Sequence, residues 1–559
     1  MRARWLLACL SICLFLSTDV KAQQWAFAVS FKDKQGSTGS LSNVSAFLSS
    51  KSITRRYLQN ISVDTTDLPV SAPYIDSVVT LTNGLLHETS KWLNLCVVLL
   101  TDSSQILNLQ NKPYITGIKY IAHYNSFHPK PNPKNSLASI SAAAKTTGSQ
   151  AYYGASYQQI SLLQGDCIQD LGFKGQGKLI AVLDAGFGGV DTIRSFDSLH
   201  LAGRIVDTHN FTLNSNSVYD YDTHGTSVLS TMAADSPGYY VGTAPYANYA
   251  LYITEDNNSE QPVELYNLVA GAERADSAGA DVITCSLGYD TFDLPFGINY
   301  YNFNTDFDGK TTVASQGVNF ATKKGILFVT SAGNDASNPD WPHILTPSDA
   351  DSALTIGAVD INQNIYPASG IGPNAAGQVK PDVCAVGWTA YILTSTGTIS
   401  TDDGTSFSTP QMAGLAACLW EAAGEVGPYA IRKAIDSSGT FHNNPGTQRG
   451  YGVPNFCQAL QLLDVKDTPK NPLGTDWIKV GPNPVADNAI VLHLYLTSYE
   501  AVSFHLYDIA GKEVLSSQMN LFTGYNSPVY LQTGNLPSGM YILKASTTTQ
   551  QQVIKVEKL

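Results

Sequence analysis

Four polar side chains stand where this chain could do chemistry: Asp184, His224, Asn334 and Ser406. Asp184 ends the apolar run Leu179-Ile-Ala-Val-Leu-Asp184 and is followed by Ala185-Gly186. Such a run, closing in a carboxylate and a glycine, places the carboxylate at the C-terminal tip of a buried strand. That edge of a parallel sheet is where functional groups gather. His224 lies in Asp222-Thr-His224-Gly-Thr226, just before the small-residue helical stretch 227–234. Asn334 follows another strand-like run, Ile326-Leu-Phe-Val-Thr-Ser-Ala-Gly333. Ser406 sits in the turn Gly404-Thr-Ser406, which runs into a helical pattern with Pro410, Ala413, Gly414, Ala416 and Ala417 on its early face. A hydroxyl at a helix start meets free N–H groups and the positive end of the helix dipole, both of which favour developing negative charge.

These residue types complement one another. A serine hydroxyl is a weak nucleophile until a base takes its proton. Histidine suits that task near neutral pH, and a buried carboxylate fixes its tautomer and steadies the imidazolium. A carboxamide can donate to the oxyanion that forms when the hydroxyl attacks a carbonyl.

The order Asp184, His224, Asn334, Ser406 and the motifs LDAG (183–186), HGTS (224–227), SAGN (331–334) and GTSFSTP (404–410) resemble the subtilisin-like serine proteases. The resemblance implies that Asp184 orients, His224 is the general base, Ser406 is the nucleophile and Asn334 joins the oxyanion hole. The Ser406 backbone N–H would be the second oxyanion donor. The segment Asp281-Val-Ile-Thr-Cys-Ser286-Leu287-Gly288 also matches. Ser286, Leu287 and Gly288 with Ser331, Ala332 and Gly333 would line the pocket for the residue before the cut. Ala185 departs from the Ser or Thr that many members carry there. No cofactor is implied, and calcium is allowed only as a structural ion. Asp306-Phe-Asp308-Gly309 looks like a calcium turn, but three residues fall short of the six to eight oxygens that calcium takes.

Around these motifs, strands at 179–183, 248–253, 281–286, 326–331 and 354–359 alternate with helical stretches at 225–234, 262–278, 313–324 and 406–422. The fold class that follows is α/β, a parallel sheet with helices on both faces. The segment 291–309 is an aromatic-rich insertion. Of 559 residues, 43% are hydrophobic and 14% charged, which fits a globular chain of several domains. A net charge of −13 speaks against a nucleic-acid partner, which would need a basic face.

The flanks have other roles. Arg2 and Arg4 precede the apolar stretch 5–16, and Val20-Lys-Ala22 offers small residues for cleavage, so 1–22 reads as a signal peptide. The apolar stretch is too short for a transmembrane anchor, which needs about 17–25 residues. Residues 23–150 read as a small α+β unit and linker, with strands near 25–31, 92–100 and 115–121 and a helix over 43–60. This unit resembles the subtilase propeptide, and self-cleavage is expected between about Ala142 and Tyr153. The catalytic domain is expected over 151–464 and a linker over 465–476. From 477 to 559, short alternating strands suggest a small antiparallel β-sandwich. Gly481-Pro-Asn-Pro484, Tyr507-Asp508-x-x-Gly511-Lys512 and Leu536-x-x-Gly539-x-Tyr541 resemble the C-terminal sorting domain of type IX secretion, which makes the outer-membrane secretion machinery a partner besides peptide substrates. Six cysteines remain beyond 22. Cys285 and Cys418 read as buried thiols, and a Cys167–Cys457 disulfide is one open pairing. The expected protein is a secreted serine endopeptidase made as a zymogen. The alternative is a catalytically silent surface adhesin on the same fold.

Overall fold

The computed structural model describes residues 23–124, 149–463, 473, 476–481, 483–485, 489–496, 500–521, 524–534 and 536–559. The expected signal peptide, most of the expected cleavage region and most of the second linker lie outside them.

The N-terminal body contains β1 (Gln24–Phe31), α1 (Ser50–Leu58), α2 (Ala72–Thr82), β2 (Leu85–Ser90), β3 (Leu95–Leu100) and β4 (Ile115–Tyr124). Its sheet is antiparallel in the order β2-β3-β1-β4. The single helix expected over 43–60 is broken. A short 3-10 turn covers Val44–Ala46, and α1 restarts after Ser49, whose hydroxyl accepts from Ser52 N. A serine in that position caps a new helix better than it continues an old one. One sheet face buries Phe27, Val29, Val98 and Leu100 with Val70 and Val78.

The central body contains α3 (Gly165–Asp170), β5 (Leu179–Asp184), β6 (Ile205–Asn210), α4 (His224–Ala233), β7 (Asn248–Ile253), α5 (Val263–Ala278), β8 (Val282–Cys285), α6 (Val313–Lys323), β9 (Leu327–Ser331), β10 (Leu354–Val359), β11 (Val383–Val386), α7 (Thr405–Ala423) and α8 (Phe456–Leu462). Seven parallel strands run in the order β11-β10-β9-β8-β5-β7-β6. Alternate residues of β5 face opposite ways: Ile180 and Val182 pack with α4 and α7, while Leu179, Ala181 and Leu183 pack with α5 and α6. Burial on both faces explains the uninterrupted apolar runs. Cys167 of α3 and Cys457 of α8 form a disulfide, and Cys96, Cys285, Cys384 and Cys418 are buried free thiols.

The N-terminal sheet lays its second face, including Ala26, Ala28, Val97 and Leu99, on α5 and α6, and the two bodies share one apolar cluster. A buried ionic network borders it. Arg55 and Arg56 of α1 reach the Asp276 carboxylate at 2.5 and 2.6 Å, and Lys324 meets Asp67 at 3.0 Å. Removing one partner of a buried network leaves the other charges unpaired, at a cost of about 3–5 kcal/mol. Asp276→Ala is therefore expected to lower the thermal denaturation temperature of the uncut chain far more than that of the separated catalytic domain.

The C-terminal body is a sandwich. One sheet contains β12 (Ile478–Val480), β13 (Ala489–Leu496) and β16 (Gly524–Gln532). The other contains β14 (Glu500–Asp508), β15 (Glu513–Leu521), β17 (Gly539–Ser546) and β18 (Gln551–Lys558). Both are antiparallel, and they enclose Leu492, Leu494, Phe504, Leu506, Leu543 and Val556. Among the described residues, no helix is long and apolar enough to cross a membrane.

Candidate active site

The sheet brings its functional groups to the C-terminal edge. Asp184 closes β5, and its fully buried carboxylate accepts from Ala185 N at 2.8 Å through Oδ1. The same oxygen lies 2.8 Å from Nδ1 of His224, the first residue of α4. That bond places the Nδ1 proton toward the acid and leaves the Nε2 lone pair free for a substrate-side proton. Asp184 Oδ2 is buried without a partner, beside the alanine that replaces the Ser or Thr expected from the resemblance. Asp222 Oδ1 holds the backbone of His224 from below, accepting its N–H at 2.7 Å. Burial works against charge on the imidazole, but Asp184, with help from Asp222 and Asp402, outweighs it and pushes the ring up to about 9.

Ser406 is the second residue of α7, so its N–H has no acceptor within the helix. Gly404, just before that helix, has φ +152°, a conformation that disfavours a side chain. The Ser406 hydroxyl donates to Ser286 O at 3.3 Å, and it shares one cleft with His224 and Asn334. The Asn334 side chain is anchored through its carbonyl oxygen, which accepts from Thr405 N at 2.9 Å and Thr405 Oγ1 at 3.0 Å. The amide nitrogen is thereby left as the group that can donate into the cleft.

Ser286, Leu287, Gly288, Ser331 and Gly333 also line this cleft. Ala332 does not. Its side chain is fully buried, and its carbonyl accepts from Leu345 N at 3.1 Å. The alternation of an extended segment turns it toward the core between two cleft residues. Ala185, Glu255, Asn257, Asp335 and Leu345 complete the wall. Glu255 was legible by the rule that found Asp184, for it follows the tip of β7. Burial pushes its carboxyl up to about 7, and Tyr289 Oη donates to it at 2.7 Å.

Glu255, Glu260 and Glu264 hold carboxylate oxygens within 4.8 Å of one another, which is metal-ligand spacing. Burial pushes Glu260 up to about 9 and Glu264 well above the usual carboxylate range, and Glu264 already accepts from Gln261 N and Asp256 N. The Asp306–Asp308 turn is likewise closed on itself. Asp308 Oδ1 accepts from Lys310 N and Thr311 N, and Asp306 Oδ2 accepts from Asn302 N.

A carboxylate–imidazole pair that shares a cleft with a helix-start serine, on a parallel α/β sheet, is the architecture of a serine hydrolase. Sequence comparison narrows the class. Residues 175–453 match the subtilase family (peptidase S8), residues 26–137 match the peptidase S8 propeptide domain of Bacteroidota, and residues 479–558 match a secretion system C-terminal sorting domain. Subtilisin DY of Bacillus licheniformis is 29% identical over 294 residues, covering 52% of this chain and 93% of its own. Subtilisin NAT of Bacillus subtilis subsp. natto is 28% identical over 306 residues, covering 54% and 70%. Alkaline elastase YaB of Bacillus sp. is 27% identical over 304 residues, covering 54% and 69%. The chain is a serine endopeptidase of the subtilase family, with a propeptide before the peptidase domain and a sorting domain after it. The sorting domain marks it as a secreted or cell-surface protein.

Proposed function

We propose that this subtilase hydrolyses peptide bonds through an acyl-enzyme on Ser406. His224 takes the hydroxyl proton and later delivers it to the leaving amine, and Asp184 holds the imidazole in the required tautomer. The Asn334 amide and the Ser406 N–H receive the oxyanion. The reaction requires the Ser406 hydroxyl to leave Ser286 O and meet Nε2 of His224. Ser286–Gly288 and Ser331–Gly333 present the extended backbone that a peptide substrate lies against. The observation that carries this reading is the 2.8 Å His224–Asp184 bond, opening on the cleft that Ser406 and Asn334 share.

The chain is read as a self-processed zymogen. Residues 1–22 direct export, 23–150 fold as propeptide and linker, 151–464 form the enzyme, 465–476 link, and 477–559 engage the type IX secretion machinery. The end of β4 favours this reading. His123 N donates to Gln261 Oε1 at 2.7 Å, and Gln261 Nε2 returns a bond to His123 O at 2.9 Å, six residues beyond the cleft residue Glu255. The propeptide thus ties the end of its last described strand to the segment that follows Glu255.

A fluorophosphonate probe tests the mechanism, because it reacts only with an activated serine. The processed protein should be labelled at Ser406. Absence of labelling would favour the silent adhesin. Labelling and kcat/KM both require a neutral imidazole, so both should rise about tenfold per pH unit on the acid side and level off near pH 9, where His224 loses its proton. A plateau already reached at pH 7 would contradict the strong pairing with Asp184. Asn334→Ala removes one oxyanion donor and should lower kcat by about 10²–10³, the loss seen for the equivalent donor in subtilisin, with little change in KM.

A further inference from the structure

We infer that Leu345, braced by the aromatic insertion at 291–309, closes the side-chain pocket beside Ser406 and restricts cleavage to bonds that follow small residues. This inference rests on the endopeptidase mechanism proposed above.

The position of the pocket follows from the reacting atoms. A carbonyl attacked by Ser406 and held by Asn334 has its own Cα next to it. The side chain on that Cα must enter the recess bounded by 286–288 and 331–333. Two glycines face this recess, and both lie against the same leucine. A Cβ at Gly288 would fall 2.9 Å from Leu345 Cβ and 3.1 Å from its Cδ1. A Cβ at Gly333 would fall 2.5 Å from Leu345 Cγ and 2.9 Å from its Cδ1. The isobutyl group therefore occupies the slot between the two glycine walls. A flat ring or a long chain would have to displace it.

Displacement is opposed from behind. Leu345 is 7% exposed and packs with Phe307 and Trp341, against which Tyr301 and Phe303 also lie. The Phe307 and Trp341 rings are 5.1 Å apart, Phe303 meets Trp341 at 5.8 Å, and Phe303 stacks on His343 at 3.8 Å. The backbone is fixed as well. Leu345 N donates to Ala332 O, and Leu345 O accepts from Ser348 N at 2.8 Å. Close-packed side chains of this kind do not yield cheaply. Three of the bracing rings, Tyr301, Phe303 and Phe307, come from the insertion that the catalytic motifs leave unexplained. The insertion thereby becomes a positioning element for specificity.

The test uses the processed enzyme and internally quenched peptides that differ only in the residue before the cut: Ala, Leu, Phe or Lys. Active sites are first counted with the fluorophosphonate. Wild type should favour Ala over Phe by about 10²-fold in kcat/KM, the scale at which pocket size discriminates. Leu345→Gly, and to a smaller extent Leu345→Ala, should reverse that order, mainly by lowering KM for the Phe peptide. Trp341→Ala should erode the preference through KM, and Trp341→Phe should restore it, which a merely structural defect would not do. Equal rates on Ala and Phe in fully titrated wild type would overturn the inference while leaving the mechanism intact. So would an unchanged ratio in a titratable Leu345→Gly. Failure of wild type to titrate would overturn both.

Discussion

Ser406→Ala should lower kcat by about 10⁶, the loss that removal of the nucleophile causes in subtilisin, and abolish fluorophosphonate labelling. The substitution removes one oxygen from a side chain that is 8% exposed and whose hydroxyl makes a 3.3 Å bond to Ser286 O. The fold and peptide affinity should therefore survive. Residual hydrolysis would come from the Asn334 donor and from bound substrate geometry, about 10³–10⁴ over water. The same variant should accumulate as the uncut chain, because an enzyme without its nucleophile cannot open its own linker. Mass spectrometry of the purified protein reads both outcomes. A Ser406→Ala chain processed like wild type, in a host lacking other proteases, would end the self-processing reading and leave the peptidase reading standing.

Asp184→Asn should cost about 10⁴ in kcat, as the corresponding change does in a trypsin-type triad. The carbonyl oxygen of an asparagine can keep the bonds from Ala185 N and His224 Nδ1, but it carries no negative charge to steady the imidazolium that forms as Ser406 loses its proton. A second readout separates this from damage to the fold. The charge that raises His224 to about 9 disappears, so the acid limb of kcat/KM should fall toward 6.5, the ordinary histidine value. A variant that loses activity but keeps its acid limb near 9 would show that Asp184 does not set the imidazole's proton affinity. Linkage carries a stability consequence. A histidine raised on folding stabilises fully below about 6.5 and gives up that contribution as pH climbs through about 9. In Asp184→Asn this alkaline loss should vanish.

Much of the fold was legible because the strands that hold the site are buried on both faces. The apolar runs at 179–183, 326–331 and 354–359 appear as β5, β9 and β10 with bounds shifted by a residue or less. Two strands gave no such signal. β6 is an edge strand reading IVDTHN, half exposed and polar, and β11 is only four residues long. The break before α1 turned on a single capping hydroxyl, which periodicity does not weigh. Within the candidate site, strand tips and helix starts gave away Asp184, His224 and Ser406, since local pattern fixes where such side chains begin. The anchoring of Asn334 by Thr405 depends on packing between segments far apart in the chain. No stretch of sequence carries that information.

The bond between Cys167 and Cys457 closes a loop spanning 290 residues, and nearly every strand and helix around the cleft lies inside it. A protease outside the cell lives among its own kind, and its exposed turns are cut from time to time. Any single nick between those two cysteines leaves two pieces that are still one molecule, held in place by the core as well as by sulfur. Damage of that sort would stay hidden on an ordinary denaturing gel and appear only after reductant is added. The enzyme could thus age by accumulating silent breaks while its working edge stays assembled.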